Sequence, residues 1–487
     1  MHPNFPNELL GEIFSHLLEE DERDRREEYS LVQFIDVRLV CRLWNQLATK
    51  YIFDTVLLWH TVETIGEDFI TWHKLLDSKD VSNAVRRVAI KTGPDNDNEL
   101  GGCEYWQFPS SWTENGEWPA FEAAINKICD LPNLERLEVR FTGCCVGKVE
   151  PVRDDWNLIQ ESLAEPEPTS TRFQTLRLIM NAIQKRARRS NMRPIRELVL
   201  ENLQNIELPA DIENGLFQGI QRLHIRILSE CDNGVPMVEE HEKIYKAELV
   251  EFPYYLQTAF LPLVSDQLVE LTLSGLDLGS IPKEFNGQGL LFPRLKTLTL
   301  DGLRILRRDQ FDWVLEQKSL TRLRLHNCII GSHCLVMQPE FSLWGVDLKG
   351  WSRVADGPPD GFYMERLPVP HTARPGAVDL EPGWYINTLR WDALFDDIRE
   401  NLPLLKDFAF DRKLWSNYVQ EFGPPYSGRY MGFAQCWFFL NSNDNHIQHW
   451  GREEAQIPGE PQRFSALAEP ADRQALERLD KEIRHRL

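Results

Sequence analysis

Nowhere in the 487 residues is there an uninterrupted apolar run of the roughly 18 residues that a membrane-spanning helix needs, and the opening MHPNFPNELL has no basic stretch leading into an apolar one. Membrane insertion and secretion are not expected. Cysteine is sparse: nine are scattered at irregular spacing with only Cys144 and Cys145 adjacent, which gives no disulfide framework, and no N-x-[ST] glycosylation acceptor occurs. The expected setting is reducing, cytoplasmic and/or nuclear. Positive charge is in short supply as well, with Lys+Arg 54 against Asp+Glu 75 and a formal net charge of -21. Such a balance repels phosphate backbones, so neither nucleic acid nor a membrane is an expected partner.

Catalytic signatures are missing too. G-x-S-x-G, H-E-x-x-H, G-x-x-x-x-G-K-[ST] and G-x-G-x-x-G do not occur, and Gly287 with Gly289 makes only a fragment of the last. His446 and His449 stand three apart near Asp444 but lack further ligands at useful spacing, and a polar turn accounts for them. Cys103, Cys144 and Cys145 have no C-x-x-C spacing and no neighbouring histidine to activate a thiolate. No catalytic residue, metal or cofactor is expected, and the chain is not expected to be an enzyme.

What is present begins with two helical patterns. In FPNELLGEIFSHLL, Leu9, Leu10, Ile13, Phe14 and Leu17 share one helical face behind Pro6 and Asn7. After the mixed-charge EEDERDRREEYS, the pattern resumes in LVQFIDVRLVCRLWNQLATKYIF, with Val37, Val40, Cys41, Trp44, Leu47 and Ala48 available for burial and Arg38, Arg42 and Asn45 outward. A module this small cannot bury all of its large apolar side chains, so a partner should cover the remainder, unless the helices serve only to cap the downstream repeats.

Those repeats are L-x-x-L-x-L hexamers around Leu137, Leu198, Leu223, Leu271, Leu298 and Leu323, with a weaker copy at Leu176. The central leucines advance by 25 from Leu198, then by 48, 27 and 25, the 48 being about two units. Alternation along each strand would place Arg136, Glu138, Arg140, Glu197 and Glu201 on the face opposite the core, followed by Arg222, His224, Arg226, Glu270, Thr272, Ser274, Thr297, Thr299, Asp301, Arg322, Arg324 and His326. Arg136, Arg222, His224, Arg322, Arg324 and His326 are the candidate target-binding residues; the plainer reading is ordinary solvated strand positions.

From Met337 to about Gly383 the copies give way to a stretch rich in proline, glycine and aromatic residues; Trp344, Trp351, Tyr363, Trp384, Tyr385 and Trp391 argue for an ordered loop, shaping a binding site or simply pinned down. A final helix and strand come next, the strand centred on Phe408, and then RYMGFAQCWFFLNS and a C-terminal helix with Leu476, Leu479 and Ile483 on one face. The run QKRARRSNMR, with Lys185, Arg186, Arg188, Arg189 and Arg193, reads as the solvated face of a return helix, or as a nuclear-import or phosphate-binding patch.

Two resemblances organise these observations. Phe5-Pro6-x-Glu8-Leu9-Leu10, Ile13-Phe14, Arg38-Leu39-Val40-Cys41-Arg42-x-Trp44, Ala48, Phe53 and Val56-Leu57-Leu58 resemble the F-box family over about residues 4–58; Phe5 replaces the usual leucine and residues 19–28 lengthen the inter-helix segment. The resemblance implies a Skp-type adaptor, and through it a cullin ligase, bound by Pro6, Leu9, Leu10, Ile13, Leu17, Val40, Cys41 and Trp44. The recurrent hexamer resembles leucine-rich repeats, mostly without the consensus asparagine. The expected fold is α/β: a small N-terminal helical F-box, then a leucine-rich-repeat solenoid with a parallel sheet on the concave face and helices and loops outside. The expected divisions are 1–60 F-box, 61–125 connecting helices and start of the solenoid, 126–336 repeats, 337–390 insertion, 391–440 final repeat and cap, and 441–487 tail with helix. The implied role is a non-catalytic SCF substrate receptor holding an unknown target protein; the alternative is a leucine-rich-repeat scaffold with no ligase attached.

Overall fold

The computed structural model describes residues 37–61, 64–93, 108–143, 167–228, 247–275, 278–279, 285–336, 347–355, 381–411, 429–434 and 464–486. Among these, a first compact unit holds the residues up to Glu201 together with Pro209–Gly219, and a second holds Asn202–Leu208 and everything from Ile220 onward. No helix among the described residues is long and apolar enough to cross a membrane.

The chain is mixed α/β, built on a parallel sheet of nine strands. The first unit contributes β1 (Thr55–Leu58), β2 (Arg87–Lys91), β3 (Arg136–Arg140) and the start of β4 (Glu197–Gln204). Their register aligns Val56, Val88, Leu137 and Leu198, all buried. In the second unit, β5 (Arg222–Leu228), β6 (Glu270–Ser274), β7 (Thr297–Asp301), β9 (Arg322–His326) and β13 (Asp407–Asp411) align Leu223, Leu271, Leu298, Leu323 and Phe408. Side chains alternate in a strand, so holding the central leucine of each hexamer in register with its neighbours makes a continuous apolar row, each buried leucine contributing about 1.5–3 kcal/mol. The strand direction must reset between parallel neighbours, and helices supply the return.

In the first unit these are α2 (Ile65–Asp77) and α3 (Lys79–Ala84), then α4 (Pro119–Asn126), α5 (Thr169–Ala187) and α6 (Ala210–Leu216), following α1 (Arg42–Ile52). Pro119 sits at the first position of α4, where its missing N–H costs nothing. The layer is aromatic: Trp118 stacks on Phe121, Trp112 and Phe69 meet them edge-on or tilted, and Trp72 donates its indole N–H to the Ala124 carbonyl at 3.0 Å. In the second unit the returns include α7 (Ala247–Tyr255), α8 (Leu261–Val264), α9 (Asp312–Leu315) and α10 (Trp391–Asn401), and α11 (Phe464–Arg486) packs on α10.

A second sheet grows from the ends of these strands. β8 (Arg304–Ile305) pairs in parallel with β10 (Ile329–Val336), and β10 with β14 (Tyr430–Ala434); β12 (Gly383–Ile386) joins β10 antiparallel and carries β11 (Ser352–Ala355) at its edge. Part of the aromatic stretch is therefore sheet rather than loop. Trp384, Tyr385 and Trp391 are buried, and Trp351 and Asn387 both donate to the Leu306 carbonyl. Trp344 and Tyr363 lie outside the described residues.

Three sequence expectations change. The hexamer at Leu176 is not a strand: it lies inside α5, where the buried positions Thr175, Leu176, Ile179 and Ile183 follow the helical period. The large sheet begins with β1, inside the span 1–60 expected to be helical, and β2 falls in 61–125, the expected start of the solenoid; the segments around Val56 and Val88 keep the register with valine in place of leucine. Finally, β10, although it falls within the 126–336 span expected to hold the repeats, belongs to the second sheet and not to the large one.

Candidate interaction surfaces

Of the residues matched to an adaptor-binding face, Pro6, Leu9, Leu10, Ile13 and Leu17 lie outside the described residues. Val40, Cys41 and Trp44 are described. α1 turns Ala48 and Thr49 inward and packs on α3, while Leu39 and Val40 at its entry are 82% and 61% exposed, Cys41 is exposed and Trp44 half-buried. The segment is held in place: Arg38 donates to Asn45 Oδ1 at 2.9 Å, and its guanidinium lies 5.5 Å from the centre of the Phe53 ring. Of the positions that helical spacing makes available for burial, Ala48 is buried within the chain, while Val40 and Cys41, also matched to the adaptor-binding face, are exposed. Leu39 and Val40 are two adjacent aliphatic side chains displayed to solvent, the two most exposed large apolar residues among the described ones.

The row of polar strand positions is largely paired with itself. Arg136 contacts Glu138 at 3.1 Å and Glu197 at 3.0 Å, and Arg140 also meets Glu138. His224 and Thr272 share a 2.8 Å hydrogen bond, and Arg222 is half-buried beside Glu270, its partner in register. Arg322 and Arg324 converge on Asp407 at 2.6 and 3.4 Å. His326 is a correction: at 2% exposure it is buried, its Nδ1 hydrogen-bonded to Asp411. Ser274 and Asp301, aligned with it at the third site of β6 and β7, are buried too, and from the turn after β9 Asn327 donates to Asp301 at 2.8 Å. Exposed pairs of this kind are worth at most about 1 kcal/mol each, so they tune the surface more than they hold the sheet.

Sequence reasoning missed a position. Arg186, read with its neighbours as solvated, is 2% exposed and donates to the carbonyls of Leu131, Pro132, Leu134 and Arg193, the last three at 3.2, 3.1 and 2.9 Å. Burial pulls its pKa down to about 10, and it stays charged at neutral pH. The signal in the sequence is the helical period, which puts Arg186 three residues after Ile183 on the same face.

Among the described residues no group of three or more His, Cys, Asp or Glu is arranged to hold a metal, and His446 and His449 fall outside them. Burial pushes the Cys328 thiol up to about 12 and raises that of Cys129. The Cys328 thiol contacts the carbonyls of Leu300 at 3.5 Å and His326 at 3.3 Å, a bridge between successive strand ends. No family model matches the chain, and a search of curated proteins finds no match.

Proposed function

We propose that the protein is a non-catalytic substrate-recognition subunit of an SCF-type ubiquitin ligase, gripping a Skp-type adaptor with its N-terminal F-box and a target protein with a leucine-rich-repeat solenoid. The observation that carries the first half is the display of Leu39, Val40 and Cys41 at the entry of an anchored α1, inside the Arg38-to-Trp44 block that resembles an F-box. Exposed aliphatic side chains on a rigid helix entry suit a helical partner that would desolvate them.

The second half is supported by the in-register apolar row, by parallel strands linked through helices, and by Cys328, which stands three residues after Leu325 where a leucine-rich-repeat consensus has asparagine or cysteine. Its thiol reaches the Leu300 carbonyl of the neighbouring strand, a contact between successive units. In such a receptor the target is held close to the transferring subunits, and proximity is the catalytic contribution.

Co-purification with the Skp-type adaptor tests the reading. Wild type is expected to give a stoichiometric complex, and Val40→Asp to weaken it at least tenfold, about 1.4 kcal/mol or more, with an unchanged circular dichroism spectrum because Val40 is largely exposed in the free chain. The Leu9→Ala, Ile13→Ala, Trp44→Ala triple variant is expected to abolish it. A wild-type chain that forms no complex would remove the ligase reading and leave a leucine-rich-repeat scaffold.

A further inference from the structure

The stretch from Asn181 to Arg196 holds six basic side chains and no acidic one, in a chain whose net charge is -21. The structure fixes three of the six side chains in place. Arg186 is spent inside, tying the end of α5 to the turn at Leu131–Leu134. Arg189 reaches the Cys129 carbonyl at 2.8 Å and Asp130 at 3.1 Å, Arg193 pairs with Glu135, and the Arg193 and Arg196 amides donate to Pro132 and Glu135 at 2.9 and 3.0 Å. Lys185, Arg188 and Arg196 are exposed, and among the described residues none of the three has an acidic side chain within ion-pair distance.

The helix dipole explains cations at Lys185 in the last turn of α5 and at Arg188, its C-cap, but not Arg193 and Arg196, which lie beyond it. A nuclear-import reading needs the run extended and readable side chain by side chain; here it is helical through Ala187 with Arg186 buried.

We propose that the α5 C-terminus and the turn after it form a preorganised docking surface for a short acidic segment of a partner protein, centred on Lys185, Arg188 and Arg196. Charge complementarity selects the class. The patch spans only a dozen residues, so three or four carboxylates satisfy it, whereas a long polyanion runs beyond it within about a Debye length, roughly 10 Å, into the negative field of the remaining chain. Because α5 and its turn are pinned by Arg186, docking orders little backbone and loses little entropy.

The test uses the full chain and a fluorescently labelled octaglutamate peptide, monitored by anisotropy at low salt. Binding is expected, weakening as salt rises, and dropping at least tenfold in Lys185→Glu, Arg188→Glu, Arg196→Glu; the glutamine triple variant is expected to fall between. Circular dichroism and adaptor co-purification check that the variants remain folded. No binding to wild type, or equal binding to wild type and the glutamate variant, overturns the proposal. Tighter binding of a single-stranded oligonucleotide or of phosphatidylserine vesicles than of the peptide, lost in the same variant, overturns it in favour of those partners.

Discussion

Arg186→Met is expected to destabilise the first unit by about 3–5 kcal/mol. Four charge-assisted hydrogen bonds leave with the guanidinium, each worth about 1.5–3 kcal/mol. Against this, methionine relieves the cost of a buried cation, which a pKa pulled from 12.5 down to about 10 puts at roughly 3 kcal/mol. The bonds win because Leu131, Pro132, Leu134 and Arg193 present their carbonyls from one turn and one loop, and no aliphatic side chain can satisfy them. Arg186→Lys is expected to recover less than half of the loss, since a point-like ammonium cannot reach acceptors spread around a planar fork. Urea unfolding, with amide hydrogen exchange in β3 and α5 to localise the effect, measures it. A loss below about 1 kcal/mol for methionine would mean that water replaces the guanidinium without penalty.

The second large effect is a dependence on pH in the opposite sense to ordinary acid unfolding. Asp472 on α11 is 3% exposed; it accepts from the Tyr430 hydroxyl at 2.6 Å and from the Asp392 amide at 2.8 Å, while Tyr430 in turn accepts from the Trp391 amide. Two residues from elsewhere in the chain thus cap the N-terminus of α10, whose own N-cap, Arg390, offers no side-chain bond. At the far end Arg486 donates to the carbonyls of Arg399 and Leu402, and midway Arg478 pairs with Asp396 at 2.9 Å.

Burial, reinforced by the nearby Asp392 charge and opposed by both hydrogen bonds and by Arg390, raises Asp472 from 3.8 to about 6. The folded state therefore holds this proton more tightly than the unfolded chain, and between about pH 6 and pH 4 its contribution grows as pH falls, by roughly 3 kcal/mol in total. Above pH 6 the full cost of the buried carboxylate is in force. Asp77 and Asp211, lowered by Lys127 and Arg177, act in the other direction only below about pH 4, where their carboxylates protonate. Asp472→Asn removes the titration, so the protection of α10 amides in wild type relative to this variant is expected to rise on going from pH 7.5 to pH 4.5. A constant difference across that range would show that Asp472 does not carry the effect.

Much of the sheet was legible in the sequence because its rule is local. Leu137, Leu198, Leu223, Leu271, Leu298 and Leu323 each sit in a hexamer that alternates in and out, and all six are buried central strand residues. The hexamer misleads at Leu176 because Leu-x-x-Leu spacing also suits a helix, and only the continued period through Ile179 and Ile183 separates the two. It goes unseen at Val88 and Val56, where β-branched residues fill the same sites equally well. The polar row was legible except at Ser274, Asp301 and His326, which are buried, because alternation along a strand does not reveal what the following turn contacts, as where Asn327 donates to Asp301. Arg186 was hidden for a similar reason: a charge is taken to be solvated unless its carbonyl partners are in view, and three of the four, Leu131, Pro132 and Leu134, lie more than 50 residues away in sequence.

Between β9 and β13 the chain departs to build most of the second sheet and still returns with Asp407 opposite Arg322 and Asp411 opposite His326. Each strand of the large sheet answers only to its immediate neighbours, so the excursion has no effect on the alignment of the rest. For protein engineering, this makes the side of the sheet where β9 ends a graft point: a reporter domain spliced into the excursion should be carried as cargo, leaving the spacing of the strands as it is.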